Sequence, residues 1–96
     1  MENLIISDIQ VNPVKPFPNG LVAFASFVMN DQFYVGDVAI YRHSNGIDYR
    51  LVYPTRKLNN GRQVQIIFPL TREIGQVVHN KVVGKYLTMY ETFETD

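Results

Sequence analysis

The first strand that the hydrophobic pattern predicts runs over residues 4–14. Ile5, Ile9 and Val11 stand at odd positions, so the alternation of side chains along a strand puts them on one face. Three prolines and an Asn-Gly pair then end the run, namely Pro13, Pro16, Pro18 and Asn19-Gly20. Because proline cannot donate to a strand ladder, we expect this strand at an edge of its sheet.

Two longer apolar runs follow at residues 21–29 and 32–43, and both are rich in Val, Ile, Phe and Tyr. Asn30-Asp31 lies between them, and both residue types tolerate the left-handed backbone conformation that a tight hairpin needs. Ser44-Asn45-Gly46 predicts the next turn. This part of the chain therefore predicts consecutive antiparallel strands joined by short turns.

A fourth strand is predicted after that turn because apolar side chains again occupy every second position. These are Ile47, Tyr49, Leu51 and Tyr53. Pro54 is expected to end the strand, and residues 55–63 are expected to form a loop around Asn59-Asn60-Gly61. The short apolar segment at residues 64–68 predicts a further strand or an extended arm.

The hydrophobic period changes after Pro69, and the chain then predicts an amphipathic helix. Thr71 is the expected N-cap, and Glu73 stands in the first turn, where the helix dipole favours an anion. The apolar stripe, at three- and four-residue steps, comprises Ile74, Val77, Val78, Val82, Tyr86 and Met89. The solvent side would present Gln76, Asn80, Lys81 and Lys85.

Together these elements predict an α+β fold, an antiparallel sheet of four to five strands in a meander with a C-terminal helix packed on it. A chain of 96 residues and 11.1 kDa is expected to form a single domain over residues 1–96. One helix covers one face of a sheet, yet residues 21–41 are apolar at nearly every position. We therefore expect a second copy of the chain, in a homodimer, to cover the other face or an edge.

Composition excludes several classes of protein. The chain has no cysteine, which excludes disulfides, thiolate metal sites and cysteine nucleophiles. No apolar run approaches the ~20 residues of a membrane-spanning helix. The opening residues Met1–Ile6 lack the basic flank and the apolar stretch of a signal peptide. These features predict a cytoplasmic protein with no membrane partner.

Enzymatic chemistry fits the sequence poorly. Ser44 adjoins His43, but neighbours on a strand point to opposite faces, so a serine and its base would not meet. His43 is instead expected to end a strand, and His79 to lie on the helix flank. Asp37 could act with a second carboxylate, although a hydrogen bond to the backbone or an arginine partner explains it more simply. The sequence has neither a metal-ligand pattern nor a glycine-rich phosphate loop, so we expect no enzyme activity, metal, cofactor or small-molecule substrate.

Charge is segregated along the chain although the formal net charge is zero. Residues 1–38 contain one cation and four acids, residues 39–85 contain eight cations and two acids, and residues 86–96 contain three acids. Residues 49–72 contain five cations and no acid. Phosphate backbones are the natural counterpart of such a segment, although a solvated loop would carry the same charges. Tyr49 and Tyr53 could stack on bases, while their alternation favours core positions.

The order of several short motifs resembles the stage V sporulation protein G (SpoVG) family over about residues 5–87. The chain reads F-Y-V-G-D-V-A-I at residues 33–40, N-G at 45–46, V-Y-P-T-R-K at 52–57 and P-L at 69–70, before a helix ending in Lys85-Tyr86. That family shows an F-x-V-x-D-I-R-V-I strand, an N-G turn, an M-P-S-x-K/R loop, a D-G-E-F-R-D-I-x-H-P-I segment and a helix ending near E-Y. Asp37 and Pro69 match its strand aspartate and H-P proline. The chain differs at Ala39 (arginine in the family), Val64-Gln65 (R-D) and Phe68 (histidine).

The resemblance implies a small bacterial dimer that binds DNA and RNA and regulates sporulation, septation and other gene expression. Pro54-Thr55-Arg56-Lys57 matches the family's proline-led basic loop. With the exposed cations, this match predicts a nucleic-acid-binding set of Arg50, Thr55, Arg56, Lys57, Arg62, Arg72, Lys81 and Lys85. The alternative is a dimeric protein-interaction module that has the same fold and does not bind nucleic acid.

Overall fold

The computed structural model describes residues 4–15 and 18–94, with side chains as far as Met89. Its elements are β1 (Ile6–Pro13), β2 (Leu21–Met29), β3 (Phe33–Arg42), β4 (Tyr49–Val52), β5 (Thr55–Lys57), β6 (Gln63–Gln65) and α1 (Arg72–Glu94). The first four strands form one antiparallel sheet in the order β1-β2-β3-β4, and β5 pairs with β6 alone. The α+β meander with a C-terminal helix is therefore confirmed. Within the described ranges, no helix is both long and apolar enough to cross a membrane.

The hairpin between β2 and β3 forms at the predicted residues. Asn30 and Asp31 both adopt left-handed backbone angles, with φ of 52° and 55°. The Gln32 N–H donates to the Met29 carbonyl at 3.0 Å and closes the turn. Asn30 also ties the hairpin to the first strand, because its Oδ1 accepts a hydrogen bond from the Ile5 N–H at 2.8 Å.

In β1 the predicted alternation is wrong at one end. The pairing of β1 with β2 shifts register between Ser7 and Gln10, and Asp8 in that interval has a φ of 50°. Such a bulge adds one residue to one strand and so reverses which side chains face the core. As a result Ile6 is buried with Val11, whereas Ile5 is exposed. Pro13 ends the strand as expected, and Pro16 lies outside the described residues.

Cross-strand pairs define the two faces of the large sheet. On the inner face Ala25 lies opposite Val11 and Val38, and the buried side chains of this face pack against α1 through Val82 and Tyr86. On the outer face Phe24 lies opposite Asn12 and Ala39, and Ala39 lies opposite Val52. No helix of the described chain covers the outer face, because α1 packs on the inner one.

Helix α1 begins as predicted and is rotated slightly from its predicted orientation. The Thr71 Oγ1 accepts a hydrogen bond from the Ile74 N–H at 3.2 Å, which confirms the N-cap. Val78, Val82 and Tyr86 are buried, and Ile74 and Met89 pack at the edge of the core. Val77, predicted to be in the core, is 37% exposed, whereas Val83 is 6% exposed. The buried stripe therefore lies on the Val83 side of the predicted one. The four residues predicted to face solvent are all exposed, namely Gln76, Asn80, Lys81 and Lys85.

The prediction of a loop over residues 55–63 is wrong. Thr55, Arg56 and Lys57 pair with Gln65, Val64 and Gln63 as an antiparallel hairpin. The Ile66 N–H donates to the Pro54 carbonyl at 3.0 Å and extends this ladder. The short apolar segment at residues 64–68 was predicted as a further strand or an extended arm, and its first two residues belong to the second strand of this hairpin. All six paired residues are exposed, so the hairpin extends from the domain as a small separate sheet, which we call the arm (residues 54–66).

Candidate nucleic-acid interface

The tip of the arm is held by backbone and amide hydrogen bonds. The Leu58 N–H donates to the Arg62 carbonyl at 2.7 Å, and the Gly61 N–H donates to the Leu58 carbonyl at 3.0 Å. The Asn60 Oδ1 accepts from the Arg62 N–H at 3.0 Å. Gly61 has a φ of 88°, a conformation that glycine adopts at no steric cost. The Asn-Asn-Gly sequence therefore forms an ordered turn that fixes the position of the Arg62 backbone.

The arm has two different faces. Thr55 and Lys57 lie on one face with the glutamines across from them, Gln65 and Gln63. Arg56 lies on the other face opposite Val64, and strand alternation puts Arg62 on that same face. Diagonal neighbours of this kind have Cα atoms about 7–8 Å apart. The arm therefore brings Arg56 and Arg62 together and separates both from Lys57.

The remaining predicted site residues lie elsewhere on the molecule. Arg50 is on β4, and its guanidinium carbon lies 4.6 Å from the centre of the Tyr41 ring, its cross-strand partner on the outer face. Arg72 begins α1 and is exposed. Lys81 and Lys85 are one helical turn apart on the solvent side of α1, which lies beyond the inner face. The eight predicted residues thus occupy three surfaces, the outer face, the arm and the exposed side of α1.

Arg42 is a cation of the basic segment that the predicted site did not include. Its guanidinium carbon lies 5.8 Å from the centre of the Tyr49 ring, and interaction with the Tyr49 hydroxyl raises the pKa of Arg42. Tyr49 in turn contacts Tyr86 of α1, with ring centres 5.6 Å apart. Arg42 is therefore held between sheet and helix, away from the exposed cations. A sequence gives no direct sign of this, because Arg42 follows the same strand pattern as Arg50.

The histidines and Asp37 have structural surroundings. His43 and Ser44 lie in the exposed turn after β3, and the His79 Nε2–H donates to the Tyr49 carbonyl at 3.0 Å, joining α1 to β4. Asp37 is exposed, with a φ of 56°, at a register shift between β2 and β3. The described residues give it neither the backbone hydrogen bond nor the arginine partner that we expected. A left-handed residue in a bulge explains the aspartate instead, since Asp tolerates that conformation better than most residues.

An apolar groove opens at the start of α1. It has a volume of about 280 Å³ and is lined by Phe27 and Val35 of the sheet, by the 67–70 segment and by Ile74 and Val78 of the helix. Leu70 at its rim is 88% exposed. Large exposed apolar side chains next to an apolar groove are typical of an interaction surface.

Tyr53 lines the same groove and packs against the core. Its hydroxyl is shielded from solvent and has no hydrogen-bond partner among the described residues. Burial raises the pKa of Tyr53 above its ordinary value of 10.0, because the charged phenolate is poorly solvated there. In the described part of the chain, no group of three or more His, Asp or Glu side chains lies close enough together to hold a metal ion.

Comparison with the sequences of known proteins identifies the family. The sequence profile of the SpoVG family matches residues 4–88. The chain belongs to the SpoVG family. Two curated relatives bear the name "Putative septation protein SpoVG". The relative from Agathobacter rectalis is 27% identical over 86 residues, which cover 90% of this chain and 95% of the relative. The relative from Treponema denticola is 30% identical over 81 residues, 84% of each chain.

The positions at which this SpoVG protein departs from the family motifs lie on three different surfaces. Ala39, in place of arginine, is in the middle of the outer face. Val64 and Gln65, in place of an Arg-Asp pair, are on the arm and point to its opposite faces. Phe68, in place of histidine, lines the apolar groove. The replacements put uncharged residues where the family motifs have charged or polar ones, on the outer face, the arm and the groove.

Proposed function

We propose that this SpoVG protein is a nucleic-acid-binding regulator of the septation and sporulation type, and that the arm contacts phosphates. The observation that carries the proposal is that the acid-free basic segment, residues 49–72, includes a protruding hairpin whose paired residues are all exposed. Family membership supports the link to septation through the names of the two relatives.

Contacts from the arm would be made with the sugar-phosphate backbone. Arg56 and Arg62 share one face, so a single phosphate or two neighbouring phosphates can lie between their guanidinium groups. Thr55 and Lys57 present a hydroxyl and an ammonium on the other face. Among the described residues, none of these groups has a partner that would orient it for reading base edges. Phosphate contacts of this kind position a protein without specifying sequence. Binding by the arm should therefore be general and sensitive to salt.

The test compares the parent with the Arg56→Gln/Arg62→Gln double variant by fluorescence anisotropy over a salt series. Each phosphate contact contributes about −0.9 to the slope of log K against log salt on duplex DNA. Loss of two contacts per protomer in a two-fold dimer should flatten the slope by up to about 3.6. Melting curves should change little, because exposed cations contribute little to stability.

Lys15→Gln serves as the charge control, since Lys15 is an exposed cation in the acidic part of the chain. It should leave affinity and salt slope close to those of the parent. A folded Arg56→Gln/Arg62→Gln variant with the parental slope would remove the arm from the proposed interface. A parent that binds neither DNA nor RNA at low salt would favour the alternative, a protein-interaction module.

We also infer that the protein acts as a homodimer and that the apolar groove is where the protomers meet. Leu70 is both a lining residue of the groove and 88% exposed. In a two-fold arrangement each copy can therefore insert its Leu70 into the groove of the other. A single interface would then cover the groove and the exposed Leu70 of both copies. This position differs from the sheet face or edge that the sequence suggested.

A further inference from the structure

We propose that the outer face of the sheet is a stacking surface for unpaired nucleotides, formed by the rings of Phe24, Tyr34 and Tyr41. The inference rests on the proposed function and adds to it the form of the ligand, a single strand, and the side chains that contact its bases. It places base contacts on a surface separate from the arm.

The three rings share this face because of strand pairing. Phe24 lies opposite Ala39, and Tyr41 stands two residues further along β3, so Phe24 and Tyr41 are diagonal neighbours on either side of Ala39. Tyr34 lies opposite Val28 on the same face. Tyr34 is 74% exposed and Phe24 is 39% exposed, so both rings offer surface that the core does not use.

Small residues form the floor between these rings. Ala39 is 7% exposed and has no side chain beyond its methyl group. A Cβ built on Gly36 would come within 2.9 Å of Cε2 and 3.1 Å of the hydroxyl oxygen of Tyr34, which shows that the Tyr34 ring folds over this glycine. The ring therefore lies close to the sheet and does not extend away from it, so a base that stacks on it also lies on the sheet.

Around Phe24 and Tyr41, the charge of the outer face suits an anionic strand. The Arg50 guanidinium lies over the Tyr41 ring, with its carbon 4.6 Å from the ring centre, and makes a planar cation part of the stacking surface. The cross-strand rows that contain Phe24 and Tyr41 have no acidic side chain. Asn12, opposite Phe24, and Gln10, opposite Ser26, supply amide groups that can meet base edges.

An unpaired strand fits this face better than a duplex. Stacking needs bases whose π-faces are free, and the bases of a double helix already stack on one another. With Arg50 as the cation of these rows, the face offers a duplex few phosphate contacts. A sheet whose aromatic rings stack two or three bases is an established means of binding single-stranded RNA.

The experiment measures anisotropy of a labelled oligodeoxythymidine and of a mixed-sequence duplex of the same length. Tyr34→Ala should weaken binding of the single strand about fivefold to 100-fold, the range for loss of one stacked base. Its salt slope and its duplex affinity should stay at parental values. Gly36→Ala should weaken single-strand binding in the same direction, because the added methyl pushes the Tyr34 ring off the sheet.

Phe33→Ala is the matched control, since Phe33 is the neighbouring exposed aromatic and pairs with Met29 on the inner side. It should bind the single strand as the parent does. Photocrosslinking of the unmodified protein to a bromouracil-containing oligonucleotide gives a second readout that requires no variant. Crosslinked peptides should come from β2 and β3.

Three results would overturn the inference. Folded Tyr34→Ala and Gly36→Ala variants with parental single-strand affinity would do so, as would crosslinks confined to the arm. In both cases the proposed function stands if the Arg56→Gln/Arg62→Gln variant still loses its salt slope. A shift of Tyr34→Ala to monomer in sedimentation would show that the outer face is a contact between protomers instead.

Discussion

At the scale of single residues, Tyr53 combines a packed ring with an unsatisfied hydroxyl. The ring contacts the core, while its oxygen is shielded from solvent and has no partner in the described part of the chain. A buried hydroxyl without a hydrogen bond costs about 1–3 kcal/mol, because it gives up its hydrogen bonds to water and gains none in return. The hydroxyl of Tyr53 therefore lowers the stability of the domain, whereas its ring helps to hold the domain together.

Tyr53→Phe should raise the free energy of unfolding by about 1 kcal/mol, since it removes the hydroxyl and keeps the ring. Urea denaturation at neutral pH measures the change, with the slope of the transition as a check that the unfolded state is the same. A loss of stability would mean that the hydroxyl is hydrogen-bonded in solution.

The same residue predicts a dependence on alkaline pH. Burial raises the pKa of Tyr53 above 10.0 in the folded state, so the folded protein keeps a proton that the unfolded chain has lost. The contribution of Tyr53 to the free energy of unfolding is then constant below about pH 10. It falls as pH rises through the raised pKa. Tyr53→Phe should show a smaller fall than the parent between neutral pH and the alkaline range. Equal pH profiles would contradict the assignment.

Two aspartates show what sequence reasoning misses at this scale. Asp8 and Asp37 have φ values of 50° and 56° within strands, and each marks a bulge. Alternation assumes an unbroken period of two, so one extra residue moves every following side chain to the other face. That is why Ile6 and not Ile5 is buried. The sequence shows an aspartate within each of these strands, but a strand aspartate has several explanations. Only the pairing register in the structure shows that these two mark bulges.

Among the elements, α1 allows the sharpest test, because adjacent valines lie in different surroundings. Val77 is 37% exposed and Val78 is 4% exposed. Val78→Asp should unfold the domain, because it buries an unpaired charge, whereas Val77→Asp should cost about 1 kcal/mol or less. Circular dichroism melting distinguishes the two. Lys81→Ala is the surface control and should stay within about 0.5 kcal/mol of the parent. Equal losses from both valine variants would mean that the helix is rotated differently.

The elements that sequence identified are those with a buried face. The β2–β3 hairpin, the Thr71 cap and the amphipathic period of α1 could all be predicted, because apolar spacing and turn residues record burial. The pairing of the arm could not be predicted, although a further strand was one of two predictions for residues 64–68, because Thr55–Lys57 and Gln63–Gln65 have no buried side to give a period. Its Asn-Gly turn was recognised, but the pairing on either side depends on backbone hydrogen bonds that composition does not record.

For the whole molecule, the groove gives a prediction about assembly. The parent should sediment at about twice the chain mass of 11.1 kDa at micromolar concentration. Leu70→Asp should sediment as a monomer with little change in its own melting, because Leu70 is 88% exposed within one copy and a buried charge would be unpaired in the dimer.

Ile47→Asp is the matched control for this test. Ile47 is 77% exposed, like Leu70, but it lies in the β3–β4 turn and is not part of the groove lining. The Ile47 variant should remain a dimer. If Leu70→Asp also remains a dimer, the groove is not the contact between protomers, and a parent that is monomeric at every concentration would exclude the dimer itself.

The sequence predicts that the candidate site is basic, but it does not predict how the cations are arranged on the surface. Segregation of cations into residues 39–85 is a property of the sequence alone. Their division among the outer face, the arm and α1 depends on the meander and on the packing of α1, which bring residues distant in sequence together and separate neighbours such as Arg56 and Lys57. The sequence does not indicate a functional role for Tyr34 and Phe24, since apolar residues in a strand are most simply explained as part of the core.

The position of α1 at the end of the element order matters during protein synthesis. The inner face is built by β1 to β4, but its cover is made last, about 40 residues after Val52. At about 5–20 residues per second, a ribosome needs roughly 2–8 s for that stretch. During this interval Phe27, Val38 and Ile40 belong to a nascent sheet whose apolar inner face is exposed to chaperones and to other nascent chains. Cellular yield should therefore depend on how quickly residues 53–94 are translated.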